Sequence, residues 1–239
     1  INSTISEDLA RAEAIAVPLI LLLLVFVFGS LIAAGLPLLI GGLAIVGSFF
    51  FIWVSAQFTD TSVFALNLIT GLGLGLGIDY SLLVVNRFRE ELHAGKSVDD
   101  SIKQTINTAG KTVFYSGLTI VITLASLTLF PQMFLKSFGY AGVTVVVMAV
   151  LGSLVALPAL LAILGDRIDK VVVRKSAITP KEDGRWAQTA RFVMRRPVAV
   201  VMVSLVILTV LAAPIKNIVF SQVDSRVLPA SNSAAIAAK

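Results

Sequence analysis

From Ala14 to Phe58 the chain carries no charged side chain, and this run limits the possible fold more than any other feature. A helix needs about 20 apolar residues to cross the hydrocarbon core of a bilayer, so the run has room for two crossings back to back. Backbone amides in hydrocarbon must be paired within a helix or around a closed barrel. Nothing in the run alternates with the period of a barrel strand. The chain therefore reads as an all-α, polytopic membrane protein.

The same pattern predicts six transmembrane helices, at Ala14–Ala34, Pro37–Gln57, Ser62–Asn86, Thr112–Phe130, Phe138–Leu164 and Pro197–Ile215. Of the 239 residues 57% are hydrophobic and 14% charged, against about 25% charged in soluble domains. The first two helices are expected to meet at Ala34-Gly35-Leu36-Pro37, because proline disfavours helix at the residue before it. Residues 1–13 read as the end of an outer region and 14–164 as a five-helix bundle with a cytoplasmic loop at 87–111. A cytoplasmic linker at 165–196, the sixth helix at 197–215 and the start of a second outer domain at 216–239 complete the expected order. The polar lead-in and polar tail suggest a piece of a longer polypeptide.

The placement of the basic residues matters more than the net charge of +5. Of 19 Lys and Arg residues, five fall in Arg87–Lys111 and nine in Gly165–Arg196. By the positive-inside rule both segments are cytoplasmic and both chain ends lie on the outer side. The charge then reports topology, and nucleic acid is not an expected partner. Arg87, Arg89, Arg195 and Arg196 read as membrane-edge cations. The loop after Asn86 reads as two short helices broken at Ala94-Gly95. Ser97 followed by Asp100 resembles a capping box, and Ile102 and Ile106 suggest that the second helix lies along the membrane surface. His93, the only histidine, reads as a solvated surface residue with no second ligand nearby, and cysteine is absent, so no metal site is expected. Neither a cofactor nor an enzymatic activity is expected.

The candidate site lies in Val63–Val85, where Asp79 and Tyr80 interrupt an apolar, glycine-rich stretch. A carboxylate at membrane depth is costly unless it is paired, hydrated or protonated, so it points to a proton site. Tyr80 stands near mid-span, away from the interfaces where aromatic belts form. Gly71, Gly73, Gly75 and Gly77 do not make a nucleotide loop, because Leu76 and Ile78 stand where a further glycine is needed. They do form overlapping small-xxx-small pairs, suited to helix packing or to leaving space beside Asp79. In the next span Thr112, Ser116, Thr119, Thr123 and Ser126 draw a hydroxyl stripe, and Ser116 or Thr119 is expected to face Asp79.

The stretches GLGLGLGIDYSLLVVNRFREEL, AGKTVFYSGLTIVITLASLTLFP and LGSLVALPALLAILG together resemble the MMPL (mycobacterial membrane protein large) branch of the resistance-nodulation-division transporters. The resemblance implies helices two to seven of a twelve-helix proton-driven exporter of lipids or other hydrophobic molecules in the cell (inner or plasma) membrane. It implies a proton relay at Asp79, Tyr80 and Ser116, completed by a second Asp-Tyr pair that this chain does not contain. Leu83 stands where some lipid-exporting members carry Phe. The implied partners are membrane lipids, the remaining half of the transporter or a second copy, and other membrane proteins. The alternative is a non-transporting scaffold or lipid-binding subunit derived from a transporter half.

The charge distribution makes a topology prediction. With no native cysteine, Asn107→Cys and Thr179→Cys should be shielded from an impermeant thiol reagent in intact cells, whereas Gln132→Cys should react. Labelling of Thr179→Cys without Gln132→Cys would reverse the assigned orientation.

Overall fold

The computed structural model describes residues 2–57, 62–171, 173 and 185–214. Thr179 with the central part of the expected linker, and all of 216–239, lie outside them. The chain divides into two units, Ile1–Ile178 and Thr179–Lys239.

In the first unit α1 spans Asn2–Phe28, α2 Leu31–Ser55 and α3 Val63–His93. Two long rods follow. The first joins α4 (Val98–Thr105), a π turn at Ile106–Gly110, α5 (Lys111–Ala125) and a 3-10 turn at Ser126–Leu129. The second joins α6 (Met133–Leu151), a π turn at Gly152–Ala156, α7 (Leu157–Leu164) and a 3-10 turn at Gly165–Asp169. The second unit holds α8 (Arg185–Arg195) and α9 (Pro197–Ala212). The described residues are helical with no strand, and the protein is a polytopic helical membrane protein. Leu31–Ser55, Ala65–His93, Val98–Leu129 and Met133–Asp169 are each long and apolar enough to cross a bilayer. Ala14–Phe28 is a shorter apolar helix, and α8 and α9 meet that test only when taken together.

Two sequence expectations are corrected. The first turn is not at Ala34-Gly35-Leu36-Pro37, since Pro37 lies inside α2. The chain turns instead at Gly29, whose φ of 69° is a left-handed conformation natural to glycine. Ser30 then caps α2, its Oγ accepting from the Ala33 amide at 3.5 Å. An uninterrupted apolar run hides such a turn from hydropathy, and only the Gly-Ser pair marks it. The second correction concerns Val98–Thr105. Its Ser97 cap forms as expected, with Ser97 Oγ accepting from the Asp100 amide at 3.2 Å. The helix then runs on through the π turn into α5 as one rod, and Ser101 and Thr105 are buried, so α4 packs into the bundle's base.

Glycine sets how closely these helices approach. A Cβ built on Gly77 of α3 would lie 2.5 Å from the Gly41 Cα of α2, so the two backbones touch. Gly73 similarly faces Ile45 and Val145, and Gly152 faces Ile40. Between α5 and the second rod, Gly117 receives Val150 and Gly142 receives Leu124. Lipid tails are as apolar as the side chains, so association in the bilayer relies on such close packing rather than on a hydrophobic driving force.

Gly77→Ala should therefore destabilise the bundle by about 1–3 kcal/mol, the usual cost of overpacking. Gly75→Ala, whose Cβ would meet nothing within 4 Å, should be tolerated. Thermal unfolding of the two variants in detergent compares them, and equal midpoints would show that the Gly41–Gly77 approach is not limiting.

Candidate functional site

Side chains on a helix turn by about 100° per residue, so neighbouring positions face different surroundings. Gly73 and Gly77 turn toward α2 and α6, which carries Gly71, Gly75 and Asp79, two or six positions away, to the opposite side of α3. There an open groove of about 340 Å³ is lined by Ile20 of α1 and by Gly71, Leu74, Gly75, Ile78 and Asp79 of α3. The four glycines therefore divide the work: one pair packs helices, and the other leaves space beside the carboxylate. Asp79 is exposed at the groove wall. It makes no ion pair among the described residues.

Tyr80 points elsewhere. It is buried, its hydroxyl has no hydrogen-bond partner among the described residues, and a Cβ on Gly117 of α5 would stand 3.8 Å from that oxygen. The absence of a side chain at Gly117 thus makes room for the phenol, a role that the sequence pattern did not signal. Asp79 and Tyr80 are adjacent in sequence yet open onto different spaces, one lateral and one internal.

The hydroxyl stripe on α5 is exposed, including Ser116 and Thr119. Thr119 Oγ1 donates to the Tyr115 carbonyl and Thr123 Oγ1 to the Thr119 carbonyl, both at 2.9 Å, and Ser126 Oγ donates to the Thr123 carbonyl at 2.7 Å. These hydroxyls satisfy themselves on their own helix, a common habit in membrane helices. No hydrogen bond joins Ser116 or Thr119 to Asp79 among the described residues. The interhelical hydroxyl contact lies instead at Ser81, whose Oγ is 3.3 Å from that of Ser153 in the second π turn, both fully buried.

The charged end of α3 forms a second constellation that sequence reading missed. Arg89, expected at the membrane edge, is buried. Its Nη2 lies 2.7 Å from Asp169 Oδ1 and donates to the Phe28 carbonyl at 3.0 Å, with the guanidinium 5.5 Å from the centre of the Phe28 ring. His93, expected to be merely solvated, donates from Nδ1 to the Arg89 carbonyl at 2.6 Å and sets Nε2 3.3 Å from Asp169 Oδ2. Glu91 pairs with Lys96 at 2.6 Å and with Arg87. The strap after α7 completes the clamp: Ser30 Oγ donates to the Ile168 carbonyl at 2.7 Å, Leu31 N to the Val171 carbonyl at 3.1 Å, and Val173 N to the Gly29 carbonyl at 2.9 Å. The α1–α2 turn, the base of α3 and the end of the second rod are thus tied at one point. An acidic partner 80 residues downstream of Arg89 gives no local sequence signal.

The arrangement has no metal-binding cluster of His, Cys, Asp or Glu among the described residues. Chemically it offers one ionisable carboxylate beside a lateral groove, on a helix whose base is pinned by ion pairs.

Comparison with known proteins places this geometry in context. The sequence matches the model of the MMPL family over residues 1–213. It is 44% identical over 95% of the chain to a Streptomyces coelicolor protein described as a membrane protein, of which it covers 32%. It is 36% identical to the trehalose monomycolate exporter MmpL3 of Mycolicibacterium smegmatis, over 98% of this chain and 26% of that protein. It is likewise 36% identical to the mycolic acid-containing lipids exporter MmpL11 of the same organism, over 89% of this chain and 23% of that protein. The chain spans about a quarter to a third of the length of these relatives.

The clamp generates a prediction. Arg89→Gln should destabilise the bundle by about 3 kcal/mol, because it strands a partly buried carboxylate. Arg89→Leu combined with Asp169→Leu should recover part of the loss, since neither charge is then left alone. Unfolding midpoints in detergent decide it, and a double variant no more stable than Arg89→Gln would mean that pairing is not what Arg89 contributes.

Proposed function

The chain belongs to the MMPL family, and on that premise we propose that it forms part of an exporter of lipids or other hydrophobic molecules driven by the proton-motive force. The observation that carries this reading is the position of Asp79, exposed on a groove walled by Ile20, Leu74, Ile78 and two side-chain-free glycines. An ionised carboxylate facing acyl chains costs about 2.5–3.5 kcal/mol on insertion scales. That face therefore suits either a hydrated path or a covering surface, and both serve a residue that gains and loses a proton. The names of the relatives, exporters of trehalose monomycolate and of mycolic acid-containing lipids, support lipid as the substrate class.

In this mechanism Asp79 carries the proton, and Gly71 and Gly75 leave room for water or for a neighbouring helix to slide against it. Tyr80 supplies a buried hydroxyl without a partner among the described residues, which suits an acceptor brought by the rest of the transporter or by a second copy. Ser116 and Thr119, on the exposed face of α5, help to line the same contact with that partner. The gradient itself supplies the driving energy, so no cofactor is called for. The site lies in the cell membrane, with both ends of the chain on the outer side.

The test isolates titration from shape. In the complete transporter carrying this segment, Asp79→Asn should abolish export and proton uptake under an imposed pH gradient while leaving membrane insertion intact, because Asn keeps the shape but cannot exchange the proton. Asp79→Glu should retain part of the activity. Transport by Asp79→Asn at the wild-type rate, measured in vesicles at matched protein levels, would show that Asp79 is not the proton carrier.

A further inference from the structure

Nothing in the mechanism above uses α8 or its junction with α9. From Pro197 to Ala212 α9 carries no charged residue, and nearly all of its side chains are exposed. A helix that is apolar on every side suits hydrocarbon all round. The chain then bends by 96° between the two helices, at Arg196, so that with α9 along the membrane normal α8 lies in the membrane plane.

The faces of α8 suit that position. Ala187, Ala190, Val193 and Met194 fall on one side of the helix, while Gln188, Arg191 and Arg195 follow one another at helical spacing on the other. Gln188, Arg191, Phe192 and Arg195 line an open recess of about 320 Å³. Arg196, exposed at the bend, adds a third cation close by. A helix with a basic polar face and an apolar opposite face settles at the boundary between headgroups and acyl chains. At that depth its arginines meet lipid phosphates, which they can hold with two parallel hydrogen bonds.

We propose that α8 is a docking surface for anionic phospholipid, with Arg191 and Arg195 on the headgroup phosphate and Phe192 against the upper part of the lipid. The 96° bend selects a lipid over a soluble acidic partner, because it holds the recess at headgroup level next to the entry point of α9. The net charge of the lipid matters because three cations lie within six residues, Arg191 to Arg196, and each basic residue near an anionic surface favours binding by roughly fivefold.

The experiment uses the full chain in lipid nanodiscs, with a fluorophore at Val193→Cys on α8 or, as a reference, at Leu208→Cys on α9, since no native cysteine competes. Brominated phosphatidylglycerol and brominated phosphatidylcholine, each at the same fraction in a phosphatidylcholine background, serve as quenchers. The label at 193 should be quenched more strongly by the anionic lipid, while the label at 208 responds to both alike. Arg191→Gln and Arg195→Gln should each lower that preference roughly fivefold, and high salt should erase it. Arg195→Lys should keep more of the preference than Arg195→Gln. Equal quenching at 193 by both lipids would overturn the proposal, leaving an interfacial helix without headgroup selection. Absence of quenching at 193 by either lipid would also overturn it, because α8 would then be covered by protein.

Discussion

The bundle depends on one contact with no side chain on either side, the backbone approach of Gly77 on α3 to Gly41 on α2. Once that contact is made, the rotation of α3 is no longer free. Gly73 must face Ile45 and Val145, Tyr80 must enter the interior, and Gly71, Gly75 and Asp79 must turn outward, because helical geometry fixes their angles relative to Gly77. Any larger residue at position 77 would push the helices apart or rotate one of them, and Asp79 would move with it. Packing and function are thus linked through the register of a single helix.

A second constraint acts at the other end of α3. The helix has 31 residues, a length of about 46 Å at 1.5 Å per residue, which exceeds the roughly 30 Å hydrocarbon thickness. Its polar extension beyond Asn86 needs its own partners. Arg89 finds them in Asp169 and the Phe28 carbonyl, so one buried cation ties three separate parts of the chain. Breaking such a pair on one side leaves an uncompensated charge, whereas replacing both partners need not cost as much. The clamp therefore serves position more than stability.

Much of this was legible in the sequence. The charge-free run from Ala14 to Phe58, the Ser97 cap and the break at Ala94-Gly95 each rest on local chemistry, and the structure keeps them. Features that depend on distant partners were hidden. Arg89 looked like an edge cation because Asp169 lies far along the chain, and His93 looked solvated for the same reason. The turn at Gly29-Ser30 escaped because the whole stretch is apolar and Pro37, the stronger textual signal, is absorbed within α2. The hydroxyl stripe on α5 was visible, but its spacing could not tell a site from hydroxyls bonded to their own helix.

The π turns explain one further pattern that spacing alone leaves unread. In the second rod Val145, Ala149, Ser153, Leu157, Leu161 and Gly165 are all buried, a step of four residues repeated five times. Each such step overshoots a turn of α-helix by about 40°, so in a straight helix the stripe would drift by roughly 200° and leave the core. The wider turn at Gly152–Ala156 takes up part of that drift. The first rod does the same at Ile106–Gly110, where Ser101, Thr105, Ala109, Val113 and Gly117 stay inward. The two wide turns pack together, since a Cβ on Gly110 would lie 3.5 Å from Leu154 Cδ2, and Ser153 in one of them reaches Ser81 on α3 at 3.3 Å. The widened turns thus hold both rods against α3, and the hydrogen bond between the Ser153 and Ser81 hydroxyls gives that packing its polar register.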